Sequence, residues 1–107
     1  MDELIDFILK NDKVLVKPDR ETLTRSILKH IHYGTIIVLK DEKGIYAVAR
    51  WDIEGEVAHV FQVVLRPDRR NQRLIRVLVM MGISKFPSVK YLKYERVYKI
   101  TKFLKEK

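Results

Sequence analysis

One stretch constrains this chain more than any other: residues 57 to 82, VAHVFQVVLRPDRRNQRLIRVLVMMG. A strongly apolar run, Val57 to Leu65, stops at Arg66-Pro67-Asp68. A basic loop follows, Arg69-Arg70-Asn71-Gln72-Arg73, and a second apolar segment then starts at Leu74 with helical spacing. The run reads as a strand buried on both faces, which belongs at the centre of a sheet. A buried strand feeding a helix across a short turn implies layers, because each element covers the other's apolar surface. Strand, basic turn and helix in that order also suit an anion. The N–H groups of a first helical turn have no partners within the helix, and the positive end of the helix dipole points at the incoming loop.

The length of 107 residues predicts a single domain over 1–107, and 47% hydrophobic with 34% charged residues is a globular composition. No cysteine is present, so disulfides and thiolate metal sites are excluded. The N-terminus MDELIDFILK is acidic, and its apolar part is too short for a signal peptide. No apolar run approaches the roughly 20 residues of a membrane span. A cytoplasmic protein with no membrane partner is expected. The net charge of +8 is uneven: residues 1–65 carry nine Lys/Arg against eleven Asp/Glu, and residues 66–107 carry thirteen against three. The basic C-terminal part predicts an anionic partner, whether a phosphorylated cofactor, nucleic acid or an acidic protein; a merely solvated basic surface is the plainer alternative.

In chain order, Leu4, Ile5, Ile8 and Leu9 line one face of a short helix with acids in its first turn. Val14-Leu15-Val16, closed by Lys17-Pro18, reads as an edge strand. Asp19 is the expected N-cap of a second helix, with Leu23, Ile27, Ile31 and Leu28 as its apolar stripe and Gly34 as its stop. Thr35 to Lys40, Ile45 to Trp51 and Glu56 to Leu65 form an antiparallel meander on short turns. The helix after the basic loop carries Leu74, Val77, Leu78 and Met81, and Gly82 is placed for close approach to another element. Lys90 to Val97 is a further strand, parallel to its neighbour because a helical crossover precedes it. Ile100, Phe103 and Leu104 mark a terminal helix or a strand-like tail.

This order, together with Val63-Val64-Leu65-Arg66-Pro67-Asp68-Arg69-Arg70-Asn71-Gln72-Arg73-Leu74-Ile75-Arg76, resembles the GNAT superfamily of acyl-CoA N-acyltransferases. The family's signature is a central strand, a Pro–acid–x–Arg turn and a Q/R-x-x-G-x-G/A segment opening a helix. Pro67, Asp68 and Arg70 match, as do the apolar Leu74, Leu78 and Val79; the two small residues are replaced by Arg73 and Ile75. The resemblance implies an α+β fold, a central mixed and mostly antiparallel sheet with helices on both faces. It implies acetyl-CoA as acyl donor and a primary amine as acceptor. Pantetheine would lie along Val63 and Leu65, and the pyrophosphate at Arg69, Arg70, Asn71, Gln72, Arg73, Leu74 and Ile75. The FPSVKYLKYER stretch is similar to that of compact GNAT-like proteins encoded by tailed phages, which would place the protein in a host cytoplasm.

Beside that resemblance, each candidate has a plainer account. His59 and Gln62, on the central strand, are placed to take a proton from an amine directly or through water, but His59 fits a buried core histidine too. Tyr98 follows the last predicted strand; the resemblance gives it the role of protonating a leaving thiolate, whereas sheet tyrosines commonly pack with a wet tip. Trp51 lines an acceptor pocket or anchors the core. Arg69, Arg70, Arg73 and Arg76 bind phosphate or form a solvated face. His30 and His32 are two apart on a helix and share no face, so no metal spacing is present. Arg73 and Ile75 keep open a non-catalytic GNAT-like module that binds nucleic acid or an acidic protein.

Overall fold

A computed structural model describes residues 1–13, 17–70, 72–96 and 99–104. Val14-Leu15-Val16, Asn71 and Tyr98 lie outside the described residues, as do the side chains of Gln72 and Ile75. The first helix, α1, is Asp2–Asn11, with Asp2 and Glu3 in its first turn and Lys10 in its last, so both ends suit the helix dipole. The second, α2, is Arg20–Tyr33. Asp19 caps it by accepting the Thr22 N–H at 3.0 Å, and Gly34 ends it in the left-handed region at φ 71°.

Three strands follow, β1 Ile36–Asp41, β2 Gly44–Glu54 and β3 Val57–Leu65. A single 3-10 turn, Pro67–Arg69, leads to helix α3, Gln72–Ile83. Strand β4 is Tyr91–Arg96 and β5 is Lys99–Leu104, so the tail is a strand. The sheet runs β1-β2-β3-β4-β5, and only the β3–β4 pair is parallel. This is the expected α+β architecture, with β3 in the middle.

Two bulges interrupt the ladders. Tyr46 is an extra residue of β2 opposite Leu39 and Lys40. In β3, Arg50 pairs with Gln62 and Trp51 with Val60, which leaves Phe61 extra. The second bulge changes the strand's parity. Ala58 and Val60 face α3 before it, and Val63 and Leu65 face α3 after it. His59 and Val63 therefore lie on opposite faces, although plain two-residue alternation along the strand would put them on one. The same point ends the parallel pairing, which runs only from Val57↔Tyr91 to Val60↔Tyr94 although β4 continues to Arg96. Among the described residues, β3 has no partner in β4 from Phe61 onward.

The sheet is covered on both faces. On one, Ala47, Ala49, Trp51, Ala58, Val60 and Leu65 meet Leu78, Val79 and Ile83 of α3. On the other, Ile45, Val48 and Val64 meet Leu4, Ile5, Phe7, Ile8, Leu23 and Ile27 of α1 and α2. Fully burying each large aliphatic stabilises by about 1.5–3 kcal/mol, so these two layers hold the fold together. Gly82 lets α3 approach the sheet closely: a Cβ there would lie 2.4 Å from Cη2 of the buried Trp51. Trp51 is a core anchor. Two predicted stripes are rotated in the structure. Ile31 and Leu28 are half-exposed on α2 while His30 is buried, and Val77 and Met81 are half-exposed on α3 while Val79 and Ile83 are buried. Both helices carry more apolar residues than one buried face can hold. Among the described residues, no helix is long and apolar enough to cross a membrane.

Candidate active site

Among the described residues, the backbone of Phe61 to Leu65 is unpaired with β4. That edge runs into the Arg66–Arg70 loop and then to the first turn of α3. An extended ligand with amide groups could pair along the edge as an added strand does, and end at the helix N-terminus.

The loop itself is held by charge. Arg66 donates from both terminal nitrogens to the Asp41 carboxylate, at 3.0 and 2.5 Å, and from Nε to Asp68 at 2.6 Å. Arg69 adds a bond to Asp41 at 3.0 Å and lies 4.6 Å above the Tyr46 ring. The Arg66 backbone N–H donates to the Tyr46 carbonyl at 2.9 Å. Thus the β2 bulge and the end of β1 fix the loop. The Arg66–Asp41 pair is only 18% and 16% exposed. Arg66 holds the Asp41 carboxyl far below the usual carboxylate range and is itself pushed up by Asp41 and then Asp68. Two of the loop's cations are thereby matched by two acids. Arg70 is differently engaged: its Nε donates to the Leu65 carbonyl at 3.2 Å, and Nη2 to that of Asn11 at 3.4 Å. It braces the strand end, and among the described residues it has no acidic partner. Arg73 is exposed on the outer side of α3, and Leu74 packs half-buried against the α3-side core.

His59 and Gln62 stand on the face of β3 toward α1 and α2, on either side of the bulged Phe61. His59 lies opposite Asp52 in β2 and beside Lys93 in β4. The Gln62 carboxamide is fixed at both ends, accepting from Arg50 Nε at 2.6 Å and donating to Asp12 at 2.8 Å. An amide so held can orient a neighbour but has no proton to exchange. His59 and Gln62 therefore precede, along β3, the strand end that leads to the basic loop.

Sequence reasoning missed the network that fixes Gln62. Arg50 is 5% exposed, bonds the Ser26 hydroxyl of α2 at 2.7 Å, and lies 4.9 Å from the Phe61 ring centre. Burial lowers its pKa, and Asp12 and Asp52 act against that, so it remains a cation. Next to it, His30 shares a 2.7 Å hydrogen bond with the Thr35 hydroxyl and faces Asp52 across 3.9 Å. Burial, then Arg50, hold the His30 imidazole below the ordinary histidine value, and Asp52 only partly offsets this. The signal was one charged residue inside the apolar strand AVARW. A buried charge requires partners, and these have to come from the elements above it.

No protein-family model matches the sequence, and no curated protein matches it. Solved structures do match in shape. The diaminobutyrate acetyltransferase EctA from Paenibacillus lautus, in complex with L-2,4-diaminobutyric acid and coenzyme A, superposes at TM-score 0.66 with 13% identity, over 87% of this chain and 57% of that one. The GphF GNAT-like decarboxylase in complex with isobutyryl-CoA gives 0.65 with 14% identity, over 87% and 59%. The loading GNATL domain of CurA from Lyngbya majuscula gives 0.64 with 18% identity, over 91% and 61%. The chain thus spans less than two thirds of the length of each. On the ground of these superpositions the chain has the GNAT fold.

Proposed function

We propose that the protein is an N-acyltransferase that takes an acetyl group from acetyl-CoA and gives it to a primary amine. The observation that carries this is the edge of β3 from Phe61 to Leu65, which has no partner in β4 among the described residues and leads to the N-terminus of α3. The residues present fit coenzyme A. The edge offers main-chain groups, those of Val63 and Leu65 among them, to pantetheine amides. The turn from Arg69 through Ile75 offers N–H groups and the Arg70 charge to a pyrophosphate. Arg73 replaces a small residue, and its side chain is exposed. The bound thioester supplies an activated acyl carbon. His59 accepts the proton of the attacking amine, directly or through water. Gln62, immobilised by Arg50 and Asp12, orients that amine or water. Tyr98 returns a proton to the departing thiolate. Such chemistry belongs in the cytoplasm, where coenzyme A thioesters are found.

A second reading has its own support: Asp41 and Asp68 neutralise Arg66 and Arg69, which weakens the loop as an anion site. In that case the chain is a non-catalytic GNAT-like module whose basic part binds nucleic acid or an acidic protein. Calorimetric titration with acetyl-CoA decides. Binding below about 1 mM that is lost in Arg70→Ala is expected of the acyltransferase. Absence of binding at that concentration overturns it and favours the module.

A further inference from the structure

Holding Gln62 uses only part of Arg50. Its side chain is buried beneath α2, at 5% exposure. A guanidinium has five N–H donors; Nε serves Gln62 and one hydrogen of Nη1 serves Ser26, so the remaining three have no partner among the described residues. Both acceptors are neutral. Asp12 is engaged by Gln62 and Asp52 faces His30, and among the described residues neither forms an ion pair with Arg50. The Phe61 ring stands at 4.9 Å. A cation taken out of water ordinarily has an acid beside it. Arg50 keeps a planar fork of donors instead, and Asp12, Ser26, Phe61 and Gln62 around it are only half-buried.

We propose that Arg50 receives a carboxylate of the acceptor, so that the acceptor amine is that of a small free amino acid; this rests on the acyltransferase reading. Arg50 pairs across the strands with Gln62, and two residues along the same face of β2 Asp52 pairs with His59. Neighbouring strands are about 4.8 Å apart, so a carboxylate on the Arg50 fork lies a few bonds from an amine at His59 and Gln62. Asp52 supplies the opposite charge for the ammonium form. The face thus offers a cation and an anion at the spacing at which a small amino acid carries their counterparts. A carboxylate meets the fork in two parallel hydrogen bonds. A phosphate would bring a second negative charge toward Asp12 and Asp52, both of which already act on Arg50. An alkylamine or polyamine would leave the fork empty and be repelled by it.

The test is titration of the whole chain, with and without acetyl-CoA, followed by nuclear magnetic resonance of the arginine side-chain N–H groups. The probes are glycine, L-alanine and β-alanine, the amide of each, and phosphoethanolamine. The acids should bind about 30-fold more tightly than their amides, the lower end for losing one partner of a buried charge pair. Arg50→Gln should abolish that preference. Since it also loosens Gln62, Ser26→Asp is the second variant: it puts an acid where the Ser26 hydroxyl now lies 2.7 Å from Nη1. It should abolish the preference too, with the melting temperature held or raised, because Arg50 then has an internal partner. Equal affinity for acids and amides overturns the proposal, as does no binding of any acid or tighter binding of phosphoethanolamine. A lower melting temperature or an unchanged preference in Ser26→Asp overturns it as well. Preference for the acids without any binding of acetyl-CoA upholds the carboxylate site and overturns only the acyl donor.

Discussion

Gly82→Ala tests how closely α3 is seated on the sheet. The new Cβ would lie 2.4, 2.8 and 3.2 Å from Cη2, Cζ3 and Cζ2 of Trp51. Ordinary carbon contacts are about 3.5–4.0 Å, so the ring or the helix must move by roughly 1 Å. The ring has nowhere to go: Trp51 is fully buried, and the Phe86 ring stands edge-on at 6.3 Å. Overpacking of this kind costs about 1–3 kcal/mol, and the upper half of that range applies where all three contacts are with a rigid ring. Alanine in place of glycine inside a helix returns about 1 kcal/mol. The net expectation is a loss of about 1–2 kcal/mol. The control is Trp51→Phe, which removes the three atoms in conflict. In that background Gly82→Ala should become stabilising, by up to about 1 kcal/mol, because only the helix gain remains. Urea denaturation of the four proteins gives the cycle, with constant m-values showing that the denatured state is unchanged. If Gly82→Ala has the same sign in both backgrounds, the contact does not limit the approach of α3, and the reasoning is refuted.

Other consequences can be measured with the same tools. Gln62→Ala should cost about 1–3 kcal/mol in urea denaturation, because Arg50 and Asp12 each lose a hydrogen-bond partner in a half-buried place. His30 has its pKa lowered in the folded state, so the unfolded chain binds the extra proton first; stability should fall as pH drops below about 6.5, and thermal melts of His30→Gln should lack that slope. Asp41 has the same sign in a lower pH window. Its folded pKa is depressed, so its contribution is complete above about pH 4 and is lost as pH falls toward the folded value. Acid titration of Asp41→Asn followed by fluorescence should show a shallower loss there.

Local chemistry made some of the structure readable in advance. Asp19 and Gly34 bound α2 because each satisfies helix-end groups within a few residues of itself. The β3–loop–α3 passage was readable because its apolar runs and its turn are contiguous. What depended on distant residues was not. Nothing in the segment around Phe61 announces a bulge, since parity is set by pairing with β2. The wide apolar stripes of α2 and α3 could not say which edge would stay wet, because that depends on how each helix sits on the sheet. The position of the basic loop was legible, but its charge was not: Arg69 is matched by Asp41, which is 28 residues away in sequence. Likewise the partners of Arg50 come from the end of α1, from α2 and from β3.

The extra residue at Phe61 makes β3 a strand of two phases. Even-numbered side chains serve the α3 layer in its first half and odd-numbered ones in its second. Removing Phe61 would restore one phase along the whole strand and leave the other side chains on their present faces, Gln62 and Val64 toward α1 and α2 and Val63 and Leu65 toward α3. The β3 sequence therefore reads as two words with a spacer between them, and substitutions in one half should tolerate transfer to the other only when shifted by one place.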